Sequence, residues 1–176
     1  ALYLVRNPLD VAVSFAHHNA IDYDTAIANM AQENLIFCGQ IDRLHNQLRQ
    51  RSLSWSGHVL SWVDAAPFPV CPVRYEDMRA DPLATFMKAV RFIGLNHSEA
   101  QIEKAIRFSS FDILQQQEEA DDFRERSAVA SRFFRKGKSG SWREELSEAQ
   151  ASRIVADHGE VMRRFGYLDE QGTILV

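Results

Sequence analysis

Hydrophobic positions along this chain fall into short apolar runs and longer stretches with helical spacing. The apolar run 2–5 predicts a short buried strand, and the polar turn after it leads into a predicted helix over 10–19. The region from about 23 to 50 has apolar residues at roughly helical intervals, interrupted near Gly39, so it predicts one helix or two.

Prolines, glycines and capping residues divide the rest of the chain. Further helices are predicted at 55–66, 82–93, 99–108 and 148–165, and a strand at 70–75. Asp81, Ser98 and Ser147 are the expected N-caps, and Pro72 indicates that the second strand lies at an edge or bends. Segment 115–132 is polar and charged, which predicts a mobile crossover or lid. Strands separated by helices favour an α/β fold with a parallel sheet.

Composition narrows the class of protein only slightly. With 176 residues, 45% hydrophobic and 25% charged, the chain is typical of one soluble globular domain. The net charge of −4 argues against general affinity for nucleic acid. Cys38 and Cys71 have no metal-ligand spacing, which favours a reducing compartment. No apolar run approaches the roughly 18 residues of a membrane span.

A candidate anion site begins where the first predicted strand ends. Arg6 closes that strand, Pro8 suits the first helical turn, and Ser14 follows about two helical turns after Arg6. A guanidinium offers a forked pair of donors to phosphate oxygens, and a hydroxyl adds one more. The alternative is a surface arginine beside an N-terminal proline, which the short motif alone does not exclude.

A second cluster of cations, glycines and serines occupies 133–142. Gly137 and Gly140 permit backbone conformations that bring amide groups close to a ligand, while Arg135 and Lys136 supply positive charge. The segment by itself is equally compatible with a solvated basic loop.

Taken together, these clusters and three other segments resemble the cytosolic-type sulfotransferase family. The matching segments, in chain order, are 6–14, 54–62, 73–78, 109–111 and 135–142. The first is similar to the family's 3′-phosphate motif and the last to its Arg-Lys-Gly-x-x-Gly-Asp-Trp motif, except that Ser141 stands where the family has Asp.

The resemblance implies a P-loop-type, three-layer α/β fold in which helices flank a parallel sheet. It also implies transfer of a sulfuryl group from 3′-phosphoadenosine-5′-phosphosulfate (PAPS) to a hydroxyl or amine of a small molecule, with adenosine 3′,5′-bisphosphate as the product. The family's phosphosulfate loop with its Lys and its catalytic His are not found in this sequence. Residues 1–176 are therefore expected to be the C-terminal portion of a single sulfotransferase domain whose N-terminal part is missing.

The same resemblance assigns roles to individual residues, and the catalytic residue is unknown at this stage. The 3′-phosphate would be held by Arg6, Ser14, Arg135, Lys136 and Gly137. The adenine would be surrounded by Tyr75, Ser109 and Phe111. The chemistry that the resemblance implies requires no metal.

Several titratable residues have competing interpretations. His17 and His18 follow the proposed phosphate helix and either line an acceptor pocket or are ordinary surface or capping residues. His58 lies between two tryptophans at helical spacing, which favours a packed histidine over a base. Glu76 and Asp77 are adjacent and point in different directions, so we expect them to cap the following helix rather than work as acid and base.

The expected partner is a small-molecule acceptor, with no nucleic acid and no membrane, in the cytoplasm. Homodimer formation stays open, because the family's short dimerisation pattern is not reproduced at 143–150. The alternative is a noncatalytic module that binds a 3′-phosphorylated nucleotide or serves in an interaction. A nucleotide kinase of related P-loop architecture is a third candidate, although Arg6 and Arg135 are both suited to a 3′-phosphate.

Overall fold

The computed structural model describes residues 1–42, 48–121, 123, 134 and 137–176. Over this part of the chain, short strands alternate with helices, in the order that the apolar pattern predicts for an α/β protein. The elements are β1 (Leu2–Val5), α1 (Pro8–Asn19), α2 (Tyr23–Ala31), β2 (Ile36–Phe37), β3 (Gln50–Arg51), α3 (Trp55–Val63), β4 (Cys71–Arg74), α4 (Tyr75–Ala80), α5 (Pro82–Phe92), α6 (Glu99–Phe108), α7 (Phe111–Asp121), α8 (Trp142–Glu145) and α9 (Glu148–Arg164).

Strands β1 and β4 pair in parallel, as predicted. Leu2 lies opposite Cys71 and Val5 opposite Arg74, so the two strands end at the same edge. Pro72 is accommodated because β4 is an edge strand of this two-stranded sheet in the described part of the chain. Helices flank the pair, which confirms the predicted α/β class with a parallel sheet.

The main core forms where α1, α3 and α9 pack around β1 and α2. Apolar side chains from all five elements are buried there, among them Val5, Leu9, Val13, Ile27, Val59, Ile154 and Met162. This core fixes α1 directly behind β1. The polar turn between β1 and α1 is consequently held in one place.

Helix boundaries follow the caps that the sequence contains. The side chain of Asp81 accepts the backbone N–H of Ala84, and Ser98 and Ser147 each form a complete capping box at the start of α6 and α9. Helix α9 ends before Gly166, which has a φ of 67°. The three predicted N-caps are confirmed.

The predicted helical region 23–50 is wrong beyond Ala31. Helix α2 stops there, and β2 then pairs with β3 as an antiparallel ladder. The backbone carbonyl of Leu35 accepts the N–H groups of Ser52 and Leu53, so this stretch satisfies its hydrogen bonds across the chain rather than along a helix. Residues 43–47 lie outside the described residues.

The predicted lid is also corrected, because its first part is helical. Residues 115–121 belong to α7, and polar contacts hold this part of the helix. Gln115 donates to the carbonyl of Phe134 (3.1 Å), and the buried carboxylate of Glu118 accepts the N–H of the same residue (2.9 Å). A count of apolar anchors could not detect these contacts. Beyond Asp121, most of the predicted lid lies outside the described residues.

Glu76 and Asp77 do not cap a helix, contrary to the sequence prediction. Helix α4 begins without a side-chain cap. Instead, the buried carboxylate of Glu76 accepts the N–H of Asn7 (2.9 Å) and the hydroxyl of Tyr167 (3.0 Å). Burial and the nearby Glu76 carboxylate raise the pKa of Tyr167, so its hydroxyl stays a donor. Glu76 therefore ties the end of β1 to the C-terminal segment.

His58 is a packed histidine, as predicted. Its Nδ1 lies 2.8 Å from the hydroxyl of Tyr3, and the two ring centroids are 5.6 Å apart. Burial lowers the pKa of His58 and raises that of Tyr3 to about 12. Both groups are therefore neutral at pH 7 and share one hydrogen bond. In the described residues, no helix is long and apolar enough to cross a membrane.

Candidate functional site

The candidate site lies at the edge where β1 and β4 both end. Arg6 follows β1 and Tyr75 follows β4, and the parallel register places these residues side by side. The guanidinium carbon of Arg6 lies 4.5 Å from the centre of the Tyr75 ring, within the range of a cation–π interaction. The carboxyl edge of a parallel sheet is where open α/β folds bind ligands.

A cavity of about 740 Å³ opens at this edge. Every predicted site residue that the structure describes lines it, namely Arg6, Ser14, His17, His18, Tyr75, Ser109, Phe111 and Gly137. Arg135 and Lys136 lie outside the described residues. Residues from both clusters, far apart in sequence, thus meet in one cavity.

The guanidinium of Arg6 has donors on more than one side. Its Nη2 donates to the carbonyl of Lys138 (2.9 Å) and lies 3.6 Å from a carboxylate oxygen of Asp10. Its Nε is buried and has no hydrogen-bond partner among the described residues. Arg6 also lines the cavity, where its guanidinium carries a positive charge. The donor set therefore fits a phosphate oxygen.

Two hydroxyl groups line the same cavity. Ser14 is exposed on α1, about two turns after Arg6. Ser109 ends α6, and its hydroxyl donates to the carbonyl of Ala105 (2.9 Å), which leaves the oxygen free to accept. Ser14 therefore suits an anion and Ser109 suits a hydrogen-bond donor, such as an exocyclic amine of a base.

Gly137 is placed where only glycine fits. Its φ is 58°, and a Cβ there would lie 2.3 Å from a ring carbon of Phe111. The ring of Phe111 also meets that of Phe134 edge to face, with 6.1 Å between centroids. Backbone and aromatic rings together make a flat apolar wall on this side of the cavity.

The two histidines lie at the end of α1, on the rim of the cavity. Nε2 of His17 is 3.1 Å from Oε2 of Glu145, which also accepts the hydroxyl of Tyr23. His18 lines the cavity beside them. The structure thus places both histidines at the cavity and ties one of them to a carboxylate.

Sequence reasoning missed the carboxylate of Asp10, the one buried acid among the described residues that line the cavity. It accepts the N–H of Gly140 (2.7 Å), the N–H of Trp142 (3.1 Å) and the hydroxyl of Ser141 (3.1 Å). Gly140 was expected to offer its amide to a ligand, so that interpretation is corrected. The available signal was that Asp10 follows Arg6 by four residues, because at the start of a helix this spacing can bring two side chains close together.

An apolar wall was also missed. It is formed by side chains from α4, α5, α6 and α7, namely Met78, Phe86, Ile106 and Leu114. The cavity is therefore cationic and hydroxyl-bearing at the β1 end, and apolar and aromatic at the other. Such a division suits a ligand with an anionic group attached to a flat, less polar ring system.

Comparison with known proteins agrees with this geometry. A family described as the sulfotransferase domain matches residues 1–166. Sulfotransferase 1A1 of the dog, Canis lupus familiaris, is 28% identical over 94% of this chain, which covers 55% of that protein. Cytosolic sulfotransferase 17 of Arabidopsis thaliana is 31% identical over 97% of this chain, which covers 51% of it. The chain thus spans about half the length of these relatives.

Solved structures show the same fold. The structure of mouse sulfotransferase SULT7A1 complexed with PAP superposes with a TM-score of 0.65 at 23% identity, over 92% of this chain and 58% of the other. A retinol dehydratase complexed with androsterone and the inactive cofactor PAP gives a TM-score of 0.62 at 23% identity, over 92% and 47%. With the family match over most of its length, the chain belongs to the sulfotransferase domain family.

Proposed function

We propose that this chain forms the nucleotide end of a sulfotransferase that moves a sulfuryl group from PAPS to a hydroxyl or amine of a small molecule. The observation that supports it most is that Arg6, Ser14 and Gly137, from two distant segments, line one cavity at the carboxyl edge of the sheet. Relatives named as sulfotransferases and structures titled with bound PAP support the same donor.

In this proposal, Arg6 and Ser14 bind the 3′-phosphate. The guanidinium of Arg6 provides a charge-assisted hydrogen bond, and the hydroxyl of Ser14 adds a neutral one. Arg135 and Lys136, which lie outside the described residues, would add charge beside Gly137. The site is selective because a nucleotide that lacks the 3′-phosphate cannot accept this charge-assisted hydrogen bond.

The adenine is proposed to lie on the other side of the cavity. Tyr75 and Phe111 offer flat apolar surface, and the hydroxyl oxygen of Ser109 is available to accept from the exocyclic amine. Because the Tyr75 ring also packs under Arg6, the adenine and phosphate subsites share one side chain.

PAPS would supply the sulfuryl group, and cations and amides beside its phosphosulfate would stabilise charge on the leaving 5′-phosphate. We propose that residues 1–176 are the C-terminal portion of a single sulfotransferase domain. The phosphosulfate loop and the base that removes the acceptor's proton would then come from other residues of that domain. The length relation to the dog and Arabidopsis relatives supports this division.

The acceptor is proposed to approach from the rim at the end of α1. His17 and His18 are the chain's polar groups there, and the carboxylate of Glu145 orients His17. A small molecule carrying a hydroxyl or amine is compatible with these groups.

A relative is named as cytosolic, which supports a cytoplasmic location. Whether the protein forms a homodimer is a question for solution measurements.

The test is product analysis with the complete protein. It is incubated with PAPS and a panel of phenols, alcohols and aryl amines, and sulfonated products and adenosine 3′,5′-bisphosphate are measured by mass spectrometry. Equal amounts of both products with at least one acceptor are expected. Nucleotide binding without any product would instead favour the noncatalytic binding module.

A further inference from the structure

We propose that Asp10 is a positioning residue that fixes Arg6 and the turn 140–142 relative to each other, and so sets selectivity for the 3′-phosphate. This inference rests on the proposed function. Asp10 is 1% exposed, although it lies on the wall of a cavity proposed to bind an anion. The negative charge of a carboxylate in such a place weakens anion binding, so Asp10 must contribute to the site in another way.

The hydrogen bonds of Asp10 identify that contribution. Oδ1 accepts from the hydroxyl of Ser141 and the N–H of Trp142, and Oδ2 accepts from the N–H of Gly140. These donors belong to one turn, more than a hundred residues away in sequence. A buried acid with three donors from a single turn holds that turn tightly, because releasing it would leave buried groups unpaired.

The same carboxylate contacts the proposed anion donor. Oδ2 of Asp10 lies 3.6 Å from Nη2 of Arg6, and that nitrogen also donates to the carbonyl of Lys138. Nη2 is thereby directed at the protein, which fixes how the guanidinium lies in the wall of the cavity. Asp10 and Lys138 thus orient the guanidinium, and Lys138 is connected to the turn 140–142 that Asp10 holds.

Through Asp10, the orientation of Arg6 and the position of the turn 140–142 depend on each other. Gly137 and Lys138 both line the cavity and come just before the turn that Asp10 holds, so this part of the cavity wall is anchored through Asp10. Without that anchor, Arg6 can reorient and residues 137–138 are no longer fixed beside α1. We infer that Asp10 contributes to binding through these two elements and does not itself touch the nucleotide.

The direction in which Asp10→Asn changes 3′-phosphate recognition separates a positioning role from a purely electrostatic one. Asp10→Asn removes a negative charge beside Arg6, which by itself would strengthen anion binding. It also replaces one of the two acceptor oxygens by an NH2 group, which only donates. Either the N–H of Gly140 or the donors of Ser141 and Trp142 then lose their acceptor. A positioning role therefore predicts weaker 3′-phosphate recognition, and a purely electrostatic role predicts stronger recognition.

The experiment measures dissociation constants for adenosine 3′,5′-bisphosphate and AMP by calorimetry with the complete protein. The selectivity ratio, which is the dissociation constant for AMP divided by that for adenosine 3′,5′-bisphosphate, should fall at least fivefold in Asp10→Asn. General loosening of the protein would weaken both ligands alike and leave this ratio unchanged. The matched control is Asp22→Asn, which removes an exposed carboxylate that caps α2 and should leave the ratio unchanged. A ratio that is unchanged or higher in Asp10→Asn overturns the inference.

Ser141→Ala keeps the test decisive if Asp10→Asn fails to fold. It removes one of the three donors and leaves the carboxylate in place, so a two- to threefold fall in the ratio is expected. An unchanged ratio in that case overturns the inference. If the wild-type protein binds both nucleotides equally, the proposed function fails and the inference fails with it. A selective wild type with an unaffected Asp10→Asn variant rejects the inference alone.

Discussion

At the scale of single residues, Arg6 is the side chain on which the proposed site depends most. It is about one quarter exposed, its Nη2 is held by the protein, and its Nε is unpaired among the described groups. This is the environment in which one charge-assisted hydrogen bond contributes substantially to binding, because the donor is already directed and partly desolvated.

Replacement of Arg6 by alanine should therefore weaken binding of adenosine 3′,5′-bisphosphate by about 1.5–3 kcal/mol, with the fold retained. Titration calorimetry measures the loss and circular dichroism checks the fold. Arg153→Ala is the matched control, since Arg153 is exposed and pairs with Asp24 on another surface. A dissociation constant that Arg6→Ala leaves unchanged would show that Arg6 is a surface residue without a binding role.

The half-buried histidine His58 leads to a prediction about pH. Burial lowers its pKa below the ordinary value of 6.5, so the unfolded chain takes up a proton at a higher pH than the folded chain. The stability that His58 contributes is complete above about pH 6.5 and is lost as the pH falls below that value. Burial also lowers the pKa of His158, and this shift likewise makes the protein less stable as the pH falls.

The melting temperature should accordingly fall between about pH 7 and pH 5, and His58→Gln should remove part of that dependence. Thermal unfolding followed by circular dichroism at several pH values measures it. His97→Gln, at an exposed position, is the control and should keep the wild-type slope. Identical slopes in all three proteins would contradict the assignment.

At the scale of elements, Gly137 and Gly94 make a matched pair. Both have positive φ, 58° and 79°, but a Cβ at Gly137 would collide with Phe111, whereas at Gly94 it would meet nothing within 4 Å. Alanine at either position adds backbone strain of about 1–2 kcal/mol. Only Gly137→Ala must also displace the aromatic wall of the cavity.

Gly137→Ala should therefore weaken nucleotide binding at least tenfold, while Gly94→Ala lowers the melting temperature and leaves binding unchanged. Calorimetry and thermal unfolding on both variants separate the two effects. Equal binding by both variants would mean that the wall formed by Phe111 is not part of the nucleotide site.

The same scale shows why some elements could be predicted from sequence and others could not. Helices α5, α6 and α9 carry local signals, because Asp81, Ser98 and Ser147 cap them within their own segments. The stretch after Ala31 depends on the pairing of 36–37 with the separate segment 50–51, which no local period encodes. Helix α7 is fixed by polar contacts to Phe134, which an apolar pattern cannot register.

At the scale of the whole molecule, the site depends on the parallel register of β1 and β4 and on the packing of α1 against the core. The motifs predicted which residues would meet, since Arg6, Ser14, Tyr75 and Gly137 do line one cavity. They could not predict the role of Asp10, because its partners come from a distant turn that only the folded chain brings near. The short sequence motifs thus located the cavity. The role of the Asp10 carboxylate became visible only in the folded chain.

The most direct test of the account is the affinity of the complete, unmodified protein for two nucleotides that differ only in the 3′-phosphate. Titration calorimetry with adenosine 3′,5′-bisphosphate and with AMP should show at least tenfold tighter binding of the bisphosphate, equivalent to about 1.4 kcal/mol or more. That preference is expected because Arg6 and Ser14 both face the 3′-phosphate position in the proposed site. Equal affinities for the two nucleotides would contradict the central claim.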